Sequence, residues 1–192
     1  MTRLVLGIGL NDSDTPVCRK ESGKIVWTCP LYIVWASMLA RCYSREYQRK
    51  RPTYIGCSVT PEWLTFSVFR DWMERQDWNG MAMDKDILFP GNKVYSPDTC
   101  VFVSPALNSF LTNSGAAKGE RPTGVSWNKR DRKFASRCCN PFTGKHDYFG
   151  YFDCQDAAHQ AWRRAKHKHA LRYADQQSDP RIAEALRARF IQ

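Results

Sequence analysis

Residues 112–122, TNSGAAKGERP, contain no large apolar side chain. A stretch of small and polar residues buries too little surface to offset the entropy of ordering it, so it reads as a linker. It divides the 192-residue chain into segments that must each close a core of their own. The expected organisation is an N-terminal domain over 1–114, a second domain over 115–177 and a short terminal helix over 178–192.

Charge falls unevenly across that division. The formal net charge is +10 at pH 7. Residues 1–114 hold 13 Lys and Arg against 11 Asp and Glu, whereas residues 115–192 hold 16 against 8. The excess lies in the second segment and suits a polyanionic partner, nucleic acid before membrane surface. Hydrophobic residues make up 43% of the chain and aromatic residues 13%, which argues for packed cores and against disorder throughout.

Leu4–Leu10 is too short for a secretory leader and lacks a cleavage pattern. Ile25–Ala40, interrupted by Thr28 and Pro30, is too short to span a bilayer. The expectation is a cytoplasmic protein with no membrane partner. Cysteines stand at 18, 29, 42, 57, 100, 138, 139 and 154, without a CxxC pair. They read as reduced, mostly buried thiols. Cys29, Cys42, Cys57 and Cys100 lack the spacing of a zinc site, so zinc is not expected.

In the first segment a short strand and a turn-rich stretch, Asn11–Pro16, precede a helix over 31–48 in which Val34, Met38 and Cys42 recur four apart. A second helix is expected over 61–78, with Thr60 as N-cap, Pro61 in the first turn and an apolar stripe of Trp63, Phe66, Phe69, Trp72 and Met73. Short strands follow at Met83–Leu88, Val94–Tyr95 and Val101–Val103, and Pro105 opens a short helix that runs to Leu111.

In the second segment Thr123–Asn128 alternates, with Val125 and Trp127 on one face. Arg132–Cys139 and Lys145–Phe152 are the next strands, separated by turns. A long helix follows, with Asp153 as its expected cap, Asp156 in its first turn, and Ala157, Ala158, Ala161, Trp162 and Ala165 as its apolar face. His167 and His169, two apart, are expected at phosphate or solvent rather than at a metal. The fold class is therefore α+β, ending in a three-stranded antiparallel sheet backed by a helix.

Such a sheet leaves one face free. If Phe134 points at the helix, Lys133, Ala135, Arg137 and Cys139 point outward, and the hairpin adds Arg130 and Arg132. Arginine on a narrow ribbon can pair with guanine O6 and N7 in the major groove. Lys129 and Lys145 suit phosphate contacts, which set register without reading bases. Double-stranded DNA is thus the expected partner.

The segments GVSW (124–127), KFAS (133–136) and YFGYFDCQDAAHQAW (148–162) resemble the plant ethylene-response-factor, or APETALA-type, DNA-binding domain. That resemblance implies major-groove reading by the sheet. It implies contact roles for Ser126, Asn128, Arg130, Arg137, Cys139 and Tyr148. Ser126 and Asn128 stand where the plant proteins use arginine, so no target sequence carries over.

Residues 80–112 read strand, turn, strand, helix, and the whole chain resembles phage proteins that join such a domain to an HNH homing-endonuclease core. In that family an Asp-His pair supplies a metal ligand and the general base, and a helical Asn or His supplies a second ligand. The resemblance implies Asp84 and Asn108 as metal ligands, with Lys85 in the place of the histidine. Lysine is protonated near neutral pH and is a poor base, and no histidine precedes His146. Magnesium is implied only for an active nuclease. Tyr54-Ile55-Gly56 matches half of a GIY-YIG nuclease, but no GIY stands upstream.

The expected function is sequence-preferring duplex binding by a phage-type protein derived from an HNH nuclease, with cleavage weak or lost. The second expectation is an active homing or nicking endonuclease. The third is a protein-interaction module that binds a host enzyme through its aromatic N-terminal half.

Overall fold

A computed structural model describes residues 4–112 and 121–191. The chain divides between Ser104 and Pro105 into two units. Residues 113–120 of the expected linker lie outside the described residues.

The first unit opens with a hairpin that the sequence reading did not anticipate, β1 (Cys18–Glu21) against β2 (Lys24–Thr28). Ser22 and Gly23 turn it with φ of 48° and 78°, a pair of left-handed residues whose twist matches that of the flanking strands. Helix α1 (Pro30–Tyr43) buries Trp35, Met38, Leu39 and Cys42. The single helix expected over 31–48 is two. Ser44 is extended and restarts the chain as α2 (Arg45–Lys50), its hydroxyl accepting the Tyr47 N–H at 3.2 Å.

The helix expected over 61–78 is also divided. Strand β3 (Ser58–Val59) leads into a 3-10 turn at Pro61–Leu64 and then α3 (Phe66–Met73), with Thr65 extended between them. Leu10 forces the break, donating to the Leu64 carbonyl at 2.7 Å and accepting from Phe66 N–H at 2.9 Å. Thr60 caps nothing, because its hydroxyl bonds Glu62 instead. Strand β4 (Ala82–Asp84) is antiparallel to β6 (Val101–Val103), while β5 (Val94–Tyr95) is parallel to β3. Trp35, Trp63, Phe66 and Phe69 form the centre of the core, with the Trp35 indole donating to the Trp63 carbonyl at 2.7 Å.

The second unit begins earlier than the linker suggested, at α4 (Pro105–Leu111). Phe110 is the reason. Its ring lies 5.1 Å from Tyr173, and Lys166 reaches over it to donate to the Phe110 carbonyl at 2.6 Å. Strands β7 (Val125–Asn128), β8 (Lys133–Cys139) and β9 (His146–Phe152) form an antiparallel sheet in that order. Helix α5 (Gln155–Ala174) packs on it through Ala158 and Ala161, both buried, and α6 (Pro180–Ala188) packs on α5 with Ile182, Ala183 and Leu186 buried. The terminal helix therefore belongs to this unit.

Close approach of α5 to the sheet depends on Gly124. Its φ is +84°, and a Cβ there would lie 2.0 Å from the Trp162 indole. Two expectations for α5 are corrected. Its N-cap is Cys154, whose sulfur accepts Ala157 N–H at 3.4 Å, because Asp153 is drawn away to Lys133 at 3.2 Å. Ala157 is exposed and lies outside the apolar face. No helix among the described residues is long and apolar enough to cross a membrane.

Candidate nucleic-acid interface

Alternation along β8 decides which side chains the sheet presents. Ser136 and Cys138 are buried toward α5, and Arg137 and Cys139 are exposed on the other face. Register carries the pattern across. Ser126 stands opposite Ala135, and Asn128 opposite Lys133, so all four share the outer face. Val125, Trp127 and Phe134 share the inner one, where the Trp127 and Phe134 rings lie 4.7 Å apart.

On β9 the alternation is reset. Ser136 pairs with Gly150 but Arg137 pairs with Tyr148, which leaves Phe149 as an extra residue, a β-bulge. Tyr148 and Tyr151, three apart in sequence, are thereby both outward, 56% and 45% exposed, with ring centroids 5.7 Å apart edge to face. Sequence reasoning named Tyr148 and missed Tyr151. Strict alternation puts the two on opposite faces, and the signal of the exception was Gly150, a glycine inside a strand.

The outer face is thus Arg137 at its centre, with Ser126, Ala135, Tyr148 and Tyr151 around it and Cys139 and His146 paired at one end. Arg137 has no carboxylate partner among the described residues, and neither do Lys129, Arg132 and Lys145 in the two turns. Two other cations are engaged. Arg130 pairs with Asp131 at 3.0 Å, and Lys133 with Asp153. Asn128 is committed to the turn. Its amide donates to the Tyr151 hydroxyl at 2.7 Å and to Asp131 at 3.0 Å, and its carbonyl oxygen accepts the Arg130 and Asp131 N–H groups. Arg132 holds φ at +51°, a conformation that favours glycine, and keeps a guanidinium in solvent there.

His167 and His169 are not free for phosphate. The His167 ring meets the Arg189 carbonyl at 2.8 Å, and His169 is buried with Nε2 3.5 Å from Asp147. Burial lowers the His169 pKa, against the opposing pull of the Asp147 carboxylate.

The residues expected at a nuclease centre are placed differently. Asp84 ends β4, and its Oδ1 accepts the N–H groups of Asp86 at 2.7 Å and Ile87 at 3.0 Å, which stops the strand short of its expected end at Leu88. Burial raises its pKa. Lys85 is only 7% exposed. Its Nζ donates to the Asn92 carbonyl at 2.7 Å and to Asp86 at 3.1 Å, and Asn92 returns a bond to the Lys85 carbonyl at 2.7 Å. The lysine pins a loop. Asn108 belongs to α4 in the second unit, half-exposed, so neither unit by itself holds all three residues.

Cys42, Cys57 and Cys100 are buried in the first core. Burial pushes the thiols of Cys42 and Cys100 up to about 12. Among the described residues no three His, Cys, Asp or Glu side chains are grouped to hold a metal ion.

Compared with known proteins, the chain matches no family model, no curated protein and no solved structure.

Proposed function

We propose that this chain is a sequence-preferring double-stranded-DNA-binding protein. Its second unit enters the major groove with the outer face of β7–β9. Its first unit keeps the strand–loop–strand form of an HNH nuclease without the catalytic base. The observation that carries the reading is Arg137, an exposed guanidinium without a carboxylate partner among the described residues, central on a face with the small Ser126 and Ala135 and the exposed Tyr148 and Tyr151 beside it. A small residue beside an arginine lets the strand approach base edges, and a bidentate pair with guanine supplies preference. Lys129, Arg132 and Lys145 stand in the flanking turns, where cations meet phosphate. The engagement of Asp84 and Lys85 within their own loop supports a silent nuclease unit.

The test uses the full chain, a selected duplex and random duplex. Arg137→Ala should cut the ratio of the two affinities by roughly 5- to 150-fold, the value of one bidentate base contact. Lys145→Ala should weaken both about equally. Equal losses with Arg137→Ala would mean that it touches only phosphate, and failure of the wild type to bind any duplex would overturn the reading. With magnesium or manganese the expected outcome is no cleavage. Efficient cleavage lost in Asp84→Asn, which keeps the turn acceptor, would make the chain an active endonuclease. A protein partner is the second reading, favoured by the exposed Ile25, Val26 and Trp27 on the β1–β2 hairpin.

A further inference from the structure

Helix α5 carries Arg164, Lys168 and Arg172 at four-residue intervals. All three are exposed, and that spacing puts them in one line along the helix. Like charges so placed repel and weaken a helix. Several helical cations elsewhere in the chain are matched. Lys50 meets Glu46 at 2.7 Å, Arg181 meets Asp179 at 2.8 Å, and Arg187 meets Asp175 at 3.2 Å. On α5 the line has no carboxylate partner among the described residues, and Arg172 instead lies 4.1 Å over the Phe142 ring. The one acid within the helix is Asp156, in its first turn. Asp175, just beyond the last turn, is taken by Arg187.

We propose that this line is a second nucleic-acid contact, separate from the outer sheet face and specific for the phosphodiester backbone. It rests on the DNA-binding reading above and extends it. Eight residues of helix span about 12 Å, and one strand of a duplex passes a phosphate every 3.4 Å of its axis, so the line matches roughly three phosphates. α5 packs against the inner face of the sheet, so these side chains do not share the surface that carries Arg137. They add affinity and salt dependence, and no preference between sequences.

The experiment compares the full chain with the triple variant Arg164→Gln, Lys168→Gln, Arg172→Gln, measuring binding to random and selected duplex across a salt series. Each lost phosphate contact lowers the log–log salt slope by about 0.9, so the triple variant should lose about 2.7. The ratio of selected to random affinity should stay unchanged, in contrast to Arg137→Ala. Circular dichroism checks that the variant is folded. If it is not, Lys168→Gln alone should lose about 0.9. An unchanged slope in a folded variant overturns the proposal while the DNA-binding reading stands. A wild type that binds no duplex removes both. Loss of binding to anionic lipid vesicles with an unchanged DNA slope also overturns it, and assigns the line to a membrane surface.

Discussion

Lys85, just after β4, and Arg137, within β8, are basic side chains of the two units, and they are handled in opposite ways. Lys85 is buried and held by the Asn92 carbonyl and Asp86. Arg137 is exposed, with no carboxylate near it among the described residues. A buried cation must be fully bonded to be tolerated, so it is a structural element of its loop. An exposed one contributes nothing to folding and is available to a ligand. The difference teaches that net charge alone misleads: what matters is which cations remain uncommitted once the fold has used its share, and where they are grouped.

The comparison is broken most forcefully through the scaffold of the exposed face. Gly124→Ala places a Cβ against the Trp162 ring at a φ of +84°. Overpacking and backbone strain together should cost about 3 kcal/mol, seen as a lower thermal midpoint and loss of duplex binding. Binding at wild-type strength would mean that the sheet face is dispensable.

Lys85→Ala strips the Asn92 carbonyl of its donor and leaves Asp86, itself partly solvated, without its partner. A loss of about 2 kcal/mol is expected in denaturant unfolding, with duplex affinity unchanged. Lost affinity with unchanged stability would place Lys85 with the ligand-facing cations instead.

Arg132→Gly should have the smallest and most informative effect. Relief of the left-handed backbone at φ +51°, less the chain entropy of glycine, should stabilise the second unit by about 0.5 kcal/mol. Duplex binding should weaken at the same time. Gains in both would show that this guanidinium has no part in the interface.

The sheet, α5 and α6 were legible because alternation and turn residues are local signals. The β1–β2 hairpin was not, since CRKE and KIVWT bury almost nothing and show no two-residue period. Its signal was the Ser22-Gly23 turn. The two expected long helices were divided for different reasons. Leu10 bonds across Thr65, a distant contact that no local pattern carries, whereas Ser44 is a local cap signal that the four-residue spacing of Val34, Met38 and Cys42 overrode. Of the candidate site, Arg137 and Cys139 were placed outward by counting along β8. Tyr151 was hidden by the bulge, and the engagement of Asn128 by the Tyr151 hydroxyl and of Lys133 by Asp153 is known only once the strands are aligned, whereas Arg130 meets its neighbour Asp131.

The extra residue at Phe149 gives this sheet an uneven tolerance to change over evolutionary time. Point substitutions at Ser126, Ala135, Arg137 or Tyr148 alter the face and leave the layer behind it intact, so a lineage can drift from one binding preference to another by single steps. A one-codon deletion in β8, which has no extra residue to lose, is another matter. It shifts part of the strand onto the opposite face, exchanges Arg137 with a neighbour from the buried side, and turns retargeting into unfolding. Variation in relatives of this chain is therefore expected as substitution on the outer positions, with the length of β8 held constant and loss of the extra residue in β9 tolerated.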